Sequence, residues 1–176
     1  MRLAGDPSPD VKSMIRVDHA GEYGAARIYA GQLAVMGDRA DISPEIARMA
    51  TQEERHLRTF DALIVSRAVR PTLLMPLWHA AGYALGVASA LAGPKTAMAV
   101  TAAVETEIDR HYQAQRDALG TDEPELVALI TDFQADELEH KHTAVSYGAE
   151  QSPGYPLLSA VIRAGCRTAI RLSEKI

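Results

Sequence analysis

Apolar residues recur every three to four positions along most of this chain, which is the spacing that buries one face of a helix. Prolines stand where a helix can begin and glycines stand just past the end of an apolar pattern. No run alternates apolar and polar residues as a half-buried strand does. We therefore predict an all-α chain, with Ser43 as the cap of the second helix and helices over residues 9–36, 44–69, 94–119, 124–147 and 156–173.

The segment from Pro71 to Gly93 contains no Asp, Glu, Lys or Arg. Its length alone would admit a transmembrane helix, but Pro76, Gly82 and Gly86 interrupt it and its apolar residues are largely alanines. Two other interpretations remain open. The segment is either a connecting helix buried in the protein or an interfacial segment that rests on a membrane or receives an apolar substrate.

Composition narrows the class of protein. With 176 residues the chain has the size of one domain, 1–176, in which we expect residues 1–8 to be flexible. A net charge of −5 without a basic stripe argues against a nucleic-acid partner. Cys166 is the only cysteine, which excludes an intrachain disulfide. Residues 1–15 resemble neither a secretory signal nor a transit peptide, so we expect a cytoplasmic protein.

Acidic and histidine residues form one repeated pattern. The spacing Glu-x-x-His, which places both side chains on one helix face, occurs at 53–56 and at 137–140. A further glutamate lies 31 residues before the first pair and 32 residues before the second. One Glu from each of two helices and Glu-x-x-His from two others is the ligand set of di-iron and di-manganese carboxylate proteins. We therefore predict a four-helix bundle with the metal ligands Glu22, Glu53, His56, Glu105, Glu137 and His140.

The residues around these six positions are apolar, so the acidic side chains interrupt helix faces that should point into the core. Four buried carboxylates would repel one another, whereas two divalent cations would neutralise them. Mixed carboxylate and imidazole ligands without a thiolate suit iron or manganese and argue against structural zinc. Any one pair alone would fit a solvated acidic face beside a core histidine, but six residues in one pattern favour a metal site.

Two neighbours of the predicted ligands carry further expectations. Asp136 is a candidate to orient His56 or His140 through a hydrogen bond to the outer ring nitrogen, with an ordinary surface acid as the alternative. Glu107 falls on a face adjacent to that of Glu105, and we expect it to face solvent.

Three stretches of the chain resemble one known family. They are residues 17–25 (VDHAGEYGA), 104–112 (VETEIDRHY) and 136–140 (DELEH), and they contain four of the six predicted ligands. The tail, with residues 165–167 and 170–174, fits the same family. From about Met14 to its end, the sequence resembles the demethoxyubiquinone hydroxylases of ubiquinone biosynthesis.

That resemblance implies a ferritin-like four-helix bundle with an apolar connecting segment at residues 71–93 and an extra C-terminal helix. The implied activity is hydroxylation of the ring of a polyprenylated demethoxyubiquinol by dioxygen at two iron ions. His111 and Tyr112 align with a family pair implicated in electron delivery, and the implied reductant is NADH or the quinol itself. The resemblance implies that the chain binds the quinol and associates peripherally with the cytoplasmic side of the cell membrane. A second copy of the chain or a lipid-binding protein is the further implied partner.

Two rival function classes remain open at this point. A ferritin-like iron-storage or peroxide-reducing protein would use the same ligands but would need neither the uncharged segment nor a quinol. A non-enzymatic quinone- or membrane-binding helical module would need no metal. Metal binding and ring hydroxylation therefore separate the three interpretations.

Overall fold

The computed structural model describes residues 10–176, and all regular structure among them is helical. The six α-helices are α1 (Val11–Met36), α2 (Ser43–Ser66), α3 (Met75–Leu91), α4 (Pro94–Leu119), α5 (Pro124–Ser146) and α6 (Tyr155–Lys175). A short 3-10 turn, Ala149–Gln151, joins α5 to α6. The predicted all-α class is confirmed, whereas the expectation about residues 1–8 lies outside the described residues.

Most helix ends lie where local sequence signals predict them. Both α4 and α5 begin at a proline, Pro94 and Pro124. The N–H of the first helical residue has no partner within the helix, so proline, which lacks an N–H, loses no hydrogen bond at this position. Asp10 caps α1, where its side chain accepts a hydrogen bond from the Ser13 amide at 3.0 Å. These ends follow from residues within one turn of the boundary.

The second helix differs from its prediction at both ends. Ser43 is its first helical residue rather than its cap, which is Ile42, and no side chain caps this end. The helix stops at Ser66 instead of Val69 because Ala68 adopts a φ of 49°, outside the right-handed helical region. The uncharged segment is therefore separated from α2 by a turn.

Four helices, α1, α2, α4 and α5, form the ferritin-like bundle. α1 packs against α2, α4 packs against α5, and contacts of α1 with α4 and of α2 with α5 close the bundle. α3 lies along α1, and α6 lies against α4 and α1. The bundle core contains one apolar cluster around Met49 and Met98 and another around Phe60 and Phe133. The six predicted ligands lie between these clusters, with Tyr29 on one side and Phe133 on the other.

The uncharged segment forms α3, which packs closely against α1. A side chain at Gly31 or Gly86 would overlap the backbone of the opposite helix, so these glycines permit the close approach. The outer face of α3 is exposed, with Leu77 at 52% and Leu91 at 73% of full exposure, so α3 is not the buried connecting helix of the first interpretation. Among residues 10–176, no helix combines the length and apolar character needed to cross a membrane.

Arginines around the buried Glu107 hold α6 against α4, and this contact corrects the expectation for Glu107. The Glu107 side chain is only 4% exposed, and its Oε1 accepts hydrogen bonds from Arg163 at 2.6 Å and Arg167 at 2.9 Å. Arg110 lies 3.4 Å from the same oxygen. Burial alone would raise the pKa of Glu107, but the three arginines outweigh that effect and lower it. Glu107 therefore faces α6 rather than solvent, and two of the basic residues of α6 point inward.

One prediction concerns the contact between α1 and α3. Gly86→Ala should lower the free energy of unfolding by about 1–3 kcal/mol, because the added methyl group would meet the Ile28 carbonyl and force the helices apart. The same substitution at Gly165 on α6 has no atom within 4 Å and should stabilise the protein by about 0.5–1 kcal/mol. Chemical denaturation of both variants measures the difference. Equal effects of the two substitutions would show that the helices are not in close contact.

Candidate metal centre

The structure brings all six predicted ligand side chains together in the middle of the bundle. Each of these side chains is 2% exposed or less, and α1, α2, α4 and α5 all contribute. They form two groups in which the candidate ligand atoms lie within 4.8 Å of one another. His56 belongs to one group with Glu22, His140 belongs to the other with Glu105, and both groups share Glu53 and Glu137. The shared carboxylates place the two groups side by side.

Both imidazoles direct Nδ1 toward the centre of the cluster. Nδ1 of His56 lies 3.2 Å from Oε2 of Glu22 and 3.1 Å from Oε1 of Glu137. Nδ1 of His140 lies 3.2 Å from Oε1 of Glu53 and 3.4 Å from Oε2 of Glu137. The two rings thus enter the cluster in the same way from α2 and α5.

The carboxylates are poorly satisfied by the protein itself. Both oxygens of Glu53, both oxygens of Glu137 and Oε2 of Glu105 are buried without a hydrogen-bond donor among the described residues. Nδ1 of His140 also has no hydrogen-bond partner there. Buried carboxylates without donors are costly, which requires a compensating charge at this place.

Electrostatics in the cluster confirm the imbalance. Burial, reinforced by repulsion from neighbouring carboxylates, raises the pKa of Glu53 and Glu105 well above the ordinary value. Burial would also raise the pKa of Glu137, but its contacts with His140 and His56 outweigh this and lower it to about 2. Burial would lower the pKa of His56, yet Glu137 and Glu22 raise it to about 10. Protons and imidazolium charge therefore take the place that cations would occupy.

This donor set fits two divalent cations. Four carboxylates carry four negative charges, two neutral imidazoles carry none, and two divalent cations supply four positive charges. The available donor atoms are oxygen and imidazole nitrogen without a thiolate, a combination that suits iron or manganese. The residues present could therefore hold two metal ions.

Hydrogen bonds outside the cluster fix the orientation of both rings. Nε2 of His56 lies 3.0 Å from Oδ2 of Asp136, so the candidate orienting contact is made, and it is made to His56. Nε2 of His140 lies 3.1 Å from Oε1 of Gln52. Because each Nε2 faces an acceptor oxygen, a neutral ring would carry its proton on Nε2 and leave the lone pair of Nδ1 free to bind a cation at the centre.

The contact of Gln52 was missed by the sequence reasoning, although the repeated pattern contains a signal for it. Gln52 immediately precedes Glu53 just as Asp136 immediately precedes Glu137. Once Asp136 is recognised as a candidate partner, the duplication of the motif indicates Gln52 as its counterpart.

Two buried tyrosines bond to the carboxylates across the bundle. The hydroxyl of Tyr29 donates to Oε1 of Glu105 at 2.8 Å, and the hydroxyl of Tyr112 donates to Oε1 of Glu22. The repeated pattern divides the bundle into two halves, α1 with α2 and α4 with α5. Each tyrosine lies seven residues after the first glutamate of its own half and bonds to the first glutamate of the other half. Tyr112 was a predicted site residue, whereas Tyr29 was not.

His111 lies at the edge of the site. Its Nε2 lies 3.2 Å from Oδ1 of the buried Asp18 and 2.9 Å from Nε2 of Gln115, and its hydrogen-bond partners include none of the six ligands. Burial would lower the pKa of His111, but Asp18 outweighs it and raises the pKa. A surface cavity of about 370 Å³ opens beside His111, lined also by Met14 and Val17 of α1. His111 therefore lines this cavity, and its ring lies 6.4 Å from that of Tyr112 between centroids.

Comparison with known proteins identifies the family. Residues 9–173 match the family described as ubiquinone biosynthesis protein COQ7. The chain belongs to this family. It is 52% identical over 177 residues to the 3-demethoxyubiquinol 3-hydroxylase of Rhodospirillum rubrum, covering 99% of this chain and 84% of the relative. Identity to the NADPH-dependent 3-demethoxyubiquinone 3-hydroxylase, mitochondrial, of Homo sapiens is 50% over 170 residues, with 94% and 78% covered. The 5-demethoxyubiquinone hydroxylase, mitochondrial, of Saccharomyces cerevisiae is 40% identical over 179 residues, with 93% and 77% covered.

A prediction about stability follows from the raised pKa of Glu53. The folded protein retains the proton of this carboxyl, whereas the unfolded chain releases it above the ordinary pKa, so the metal-free fold loses stability as the pH rises from that ordinary value to the raised folded-state pKa. Glu53→Gln should therefore raise the Tm of chelator-treated protein at pH 7.5 by about 3 °C or more, with a smaller gain at pH 5. The same variant should lose the stabilisation that Mn²⁺ gives the unsubstituted protein.

The matched control is Glu54→Gln, one position along α2, where the side chain is exposed and pairs with Arg58 at 2.8 Å. It should change neither the metal-free Tm nor the response to Mn²⁺ by more than the small amount expected for a surface ion pair. A metal-free Glu53→Gln protein that is less stable than the parent would contradict the assignment of Glu53 to a repulsive cluster.

Proposed function

We propose that this protein is a di-iron monooxygenase that hydroxylates the ring of a polyprenylated demethoxyubiquinol with dioxygen, in ubiquinone biosynthesis. The observation that carries the proposal is the pair of buried carboxylate and imidazole groups that share Glu53 and Glu137. Membership of the COQ7 family and the hydroxylase names of relatives at 50–52% identity support the same reaction.

In this proposal the six side chains hold two iron ions, which when bound supply the capacity to bind and reduce dioxygen. The protein contributes a fixed and largely dry surrounding. Asp136 and Gln52 fix the tautomer of the ligand imidazoles when iron is bound, with the proton on Nε2 and the lone pair of Nδ1 directed inward. Tyr29 and Tyr112 fix the carboxylates of Glu105 and Glu22, and each hydroxyl holds a proton within reach of the centre.

We assign electron delivery to His111 and Tyr112. The two rings lie 6.4 Å apart between centroids, and Tyr112 hydrogen-bonds directly to Glu22. The cavity beside His111 offers a place at the protein surface from which a reductant could reach this pair. Relatives are named NADPH-dependent, which supports a nicotinamide dinucleotide as the electron source, and the quinol itself is the alternative.

The quinol approaches the centre between α1 and α4 in this proposal. A narrow gap beside Glu105 is lined by small and apolar residues, including Ala25, Ile28 and Val104. The apolar cluster of Ile28 and Val104 continues toward α3 and α6 through Leu85 and Ile162. A quinol ring bound beside Glu105 would therefore place its prenyl tail among the apolar side chains of α3 and α6.

We also propose that α3 and α6 rest on the membrane that contains the quinone. Both helices expose large apolar side chains, and these are Leu77, Tyr83 and Leu91 of α3 and Leu157, Val161 and Leu172 of α6, with Leu73 just before α3. Peripheral binding on the cytoplasmic side belongs to this proposal, while several eukaryotic relatives carry the word mitochondrial in their names. A second copy of the chain or a lipid-binding partner protein would compete for the same apolar faces.

The function is tested by mass analysis of the product. Iron-loaded protein should convert a demethoxyubiquinol, with NADPH or NADH and labelled dioxygen, into a product that carries one labelled oxygen atom on the ring. His140→Ala should lose iron and this product, because it removes one of only two imidazole ligands. Glu54→Gln should retain both. Oxygen consumption without a labelled ring would favour the iron-storage or peroxide-reducing alternative.

Membrane binding is tested separately with vesicles of phosphatidylethanolamine and phosphatidylglycerol. Replacement of Leu73 and Leu77, which are 69% and 52% exposed, with Glu should weaken sedimentation with the vesicles by about tenfold or more. Val65→Glu introduces a charge at an apolar residue near the end of α2 that is even more exposed, at 80%, and should leave sedimentation unchanged. Unaltered binding of the α3 variant would refute the interfacial role, provided that its iron content matches that of the parent.

A further inference from the structure

The two halves of the metal centre carry different residues at one equivalent position. Gln52 and Asp136 lie 84 residues apart, each one residue before the glutamate of a Glu-x-x-His pair. Asp136 accepts the hydrogen bond from Nε2 of His56 at 3.0 Å, and Gln52 accepts it from Nε2 of His140 at 3.1 Å. One ligand imidazole therefore bonds to a carboxylate and the other to a neutral amide.

The carboxylate on the His56 side is held in place by its neighbours. Arg55 pairs with Asp136 through Nη2 and lies 5.1 Å above the ring of Phe133. That ring stacks on His56 at 3.9 Å between centroids. Direct contacts therefore join Arg55, Asp136 and His56 at the outer side of the candidate metal centre.

The amide on the His140 side has different partners. Oε1 of Gln52 also accepts a hydrogen bond from Nη1 of Arg48 at 2.7 Å. Arg48 in turn pairs with Glu45 at 2.9 Å and with Glu139 at 3.3 Å. Oε1 of Gln52 is therefore uncharged, whereas Oδ2 of Asp136 belongs to a carboxylate, and each of these oxygens is shared between one imidazole and one arginine. An uncharged oxygen withdraws the imidazole proton less strongly than a carboxylate does.

The carboxylates of the two groups have similar contacts. Glu53 and Glu137 belong to both groups, and Glu22 and Glu105 each accept a hydrogen bond from one tyrosine hydroxyl. Each group contains one histidine that presents Nδ1. The acceptor at Nε2 is the contact in which the charge differs.

We infer that the two cation positions are unequal and fill in order, the position at His56 before the position at His140, and that Asp136 and Gln52 are the positioning residues that set this difference. The inference rests on the proposed metal centre. A carboxylate that accepts a hydrogen bond from Nε2–H makes Nδ1 of the same imidazole more basic and therefore a stronger metal ligand. Contacts of this kind change metal affinity by about ten- to hundredfold.

Stepwise binding of Co²⁺ to the metal-free full chain tests this inference. Anaerobic calorimetry should resolve two binding steps whose dissociation constants differ by about tenfold or more. In protein with labelled histidine rings, the first equivalent of Co²⁺ should shift the NMR signals of His56 and the second those of His140. The signals are assigned from His56→Gln and His140→Gln.

Variants at the two positioning residues should move the two steps separately. Asp136→Asn should weaken the first step, and Gln52→Glu should tighten the second, each by about ten- to hundredfold. The double variant keeps the net charge and transfers the carboxylate to the other half, so it should reverse the order in which His56 and His140 respond. A purely structural role would not produce this reversal.

Asp132→Asn is the matched control. Asp132 pairs with the same arginine, Arg55, at 3.1 Å, but it does not contact His56, so its neutralisation should leave both steps unchanged. If Asp136→Asn does not fold, Gln52→Glu alone must still tighten the second step. Equal steps in the parent protein, or an unchanged order in the double variant, would overturn the inference and leave the metal centre intact. No binding of Co²⁺ at all would overturn the proposed function as well.

Discussion

The burial of four carboxylates in an apolar bundle is the constraint on which this structure depends. The clusters around Met49 and Phe60 exclude water from the middle of the bundle, and the same exclusion makes isolated charges costly there. Protons on Glu53 and Glu105 relieve the repulsion only by discarding the charge that a cation would use. Fold stability and the proposed metal binding are therefore linked through the same side chains, because each cation would replace a proton that the fold otherwise retains.

The contacts that orient the candidate ligands run between the halves of the bundle rather than within them. Tyr29 of the first half bonds to Glu105 of the second, and Tyr112 of the second half bonds to Glu22 of the first. The outer bonds of the two imidazoles cross in the same way. As a consequence, neither half can hold its candidate ligands in position alone, and the geometry of the candidate metal centre depends on docking of α1 and α2 with α4 and α5.

The features that the sequence predicts well are those with local causes. Prolines and glycines determine where α4 and α5 begin, and the spacing of three residues within Glu-x-x-His determines which side chains share a face. These signals sufficed for the all-α class and for the six residues that the structure brings together.

Features with distant causes were missed. Glu107 is buried because α6 carries Arg163 and Arg167 to it, and the position of α6 is a property of the whole fold. The exposure of α3 likewise depends on what else packs beside α1. Gln52 and Tyr29 were recoverable in principle, since both follow from treating the two halves as copies of one unit. Serine is a favoured N-cap residue, but the N-cap of α2 is the preceding residue, Ile42.

The close contact of Gly31 and Gly86 has a mechanical consequence. With backbone against backbone and no intervening side chains, α1 and α3 have little freedom to slide or rock past each other, so they move as one stiff unit. Glu22 is part of that unit through α1. If lipid supports the outer face of α3, as proposed, the rigid pair of α1 and α3 sets the distance between the bilayer surface and Glu22. The candidate metal centre would then stay at a constant distance from the membrane that supplies the quinol.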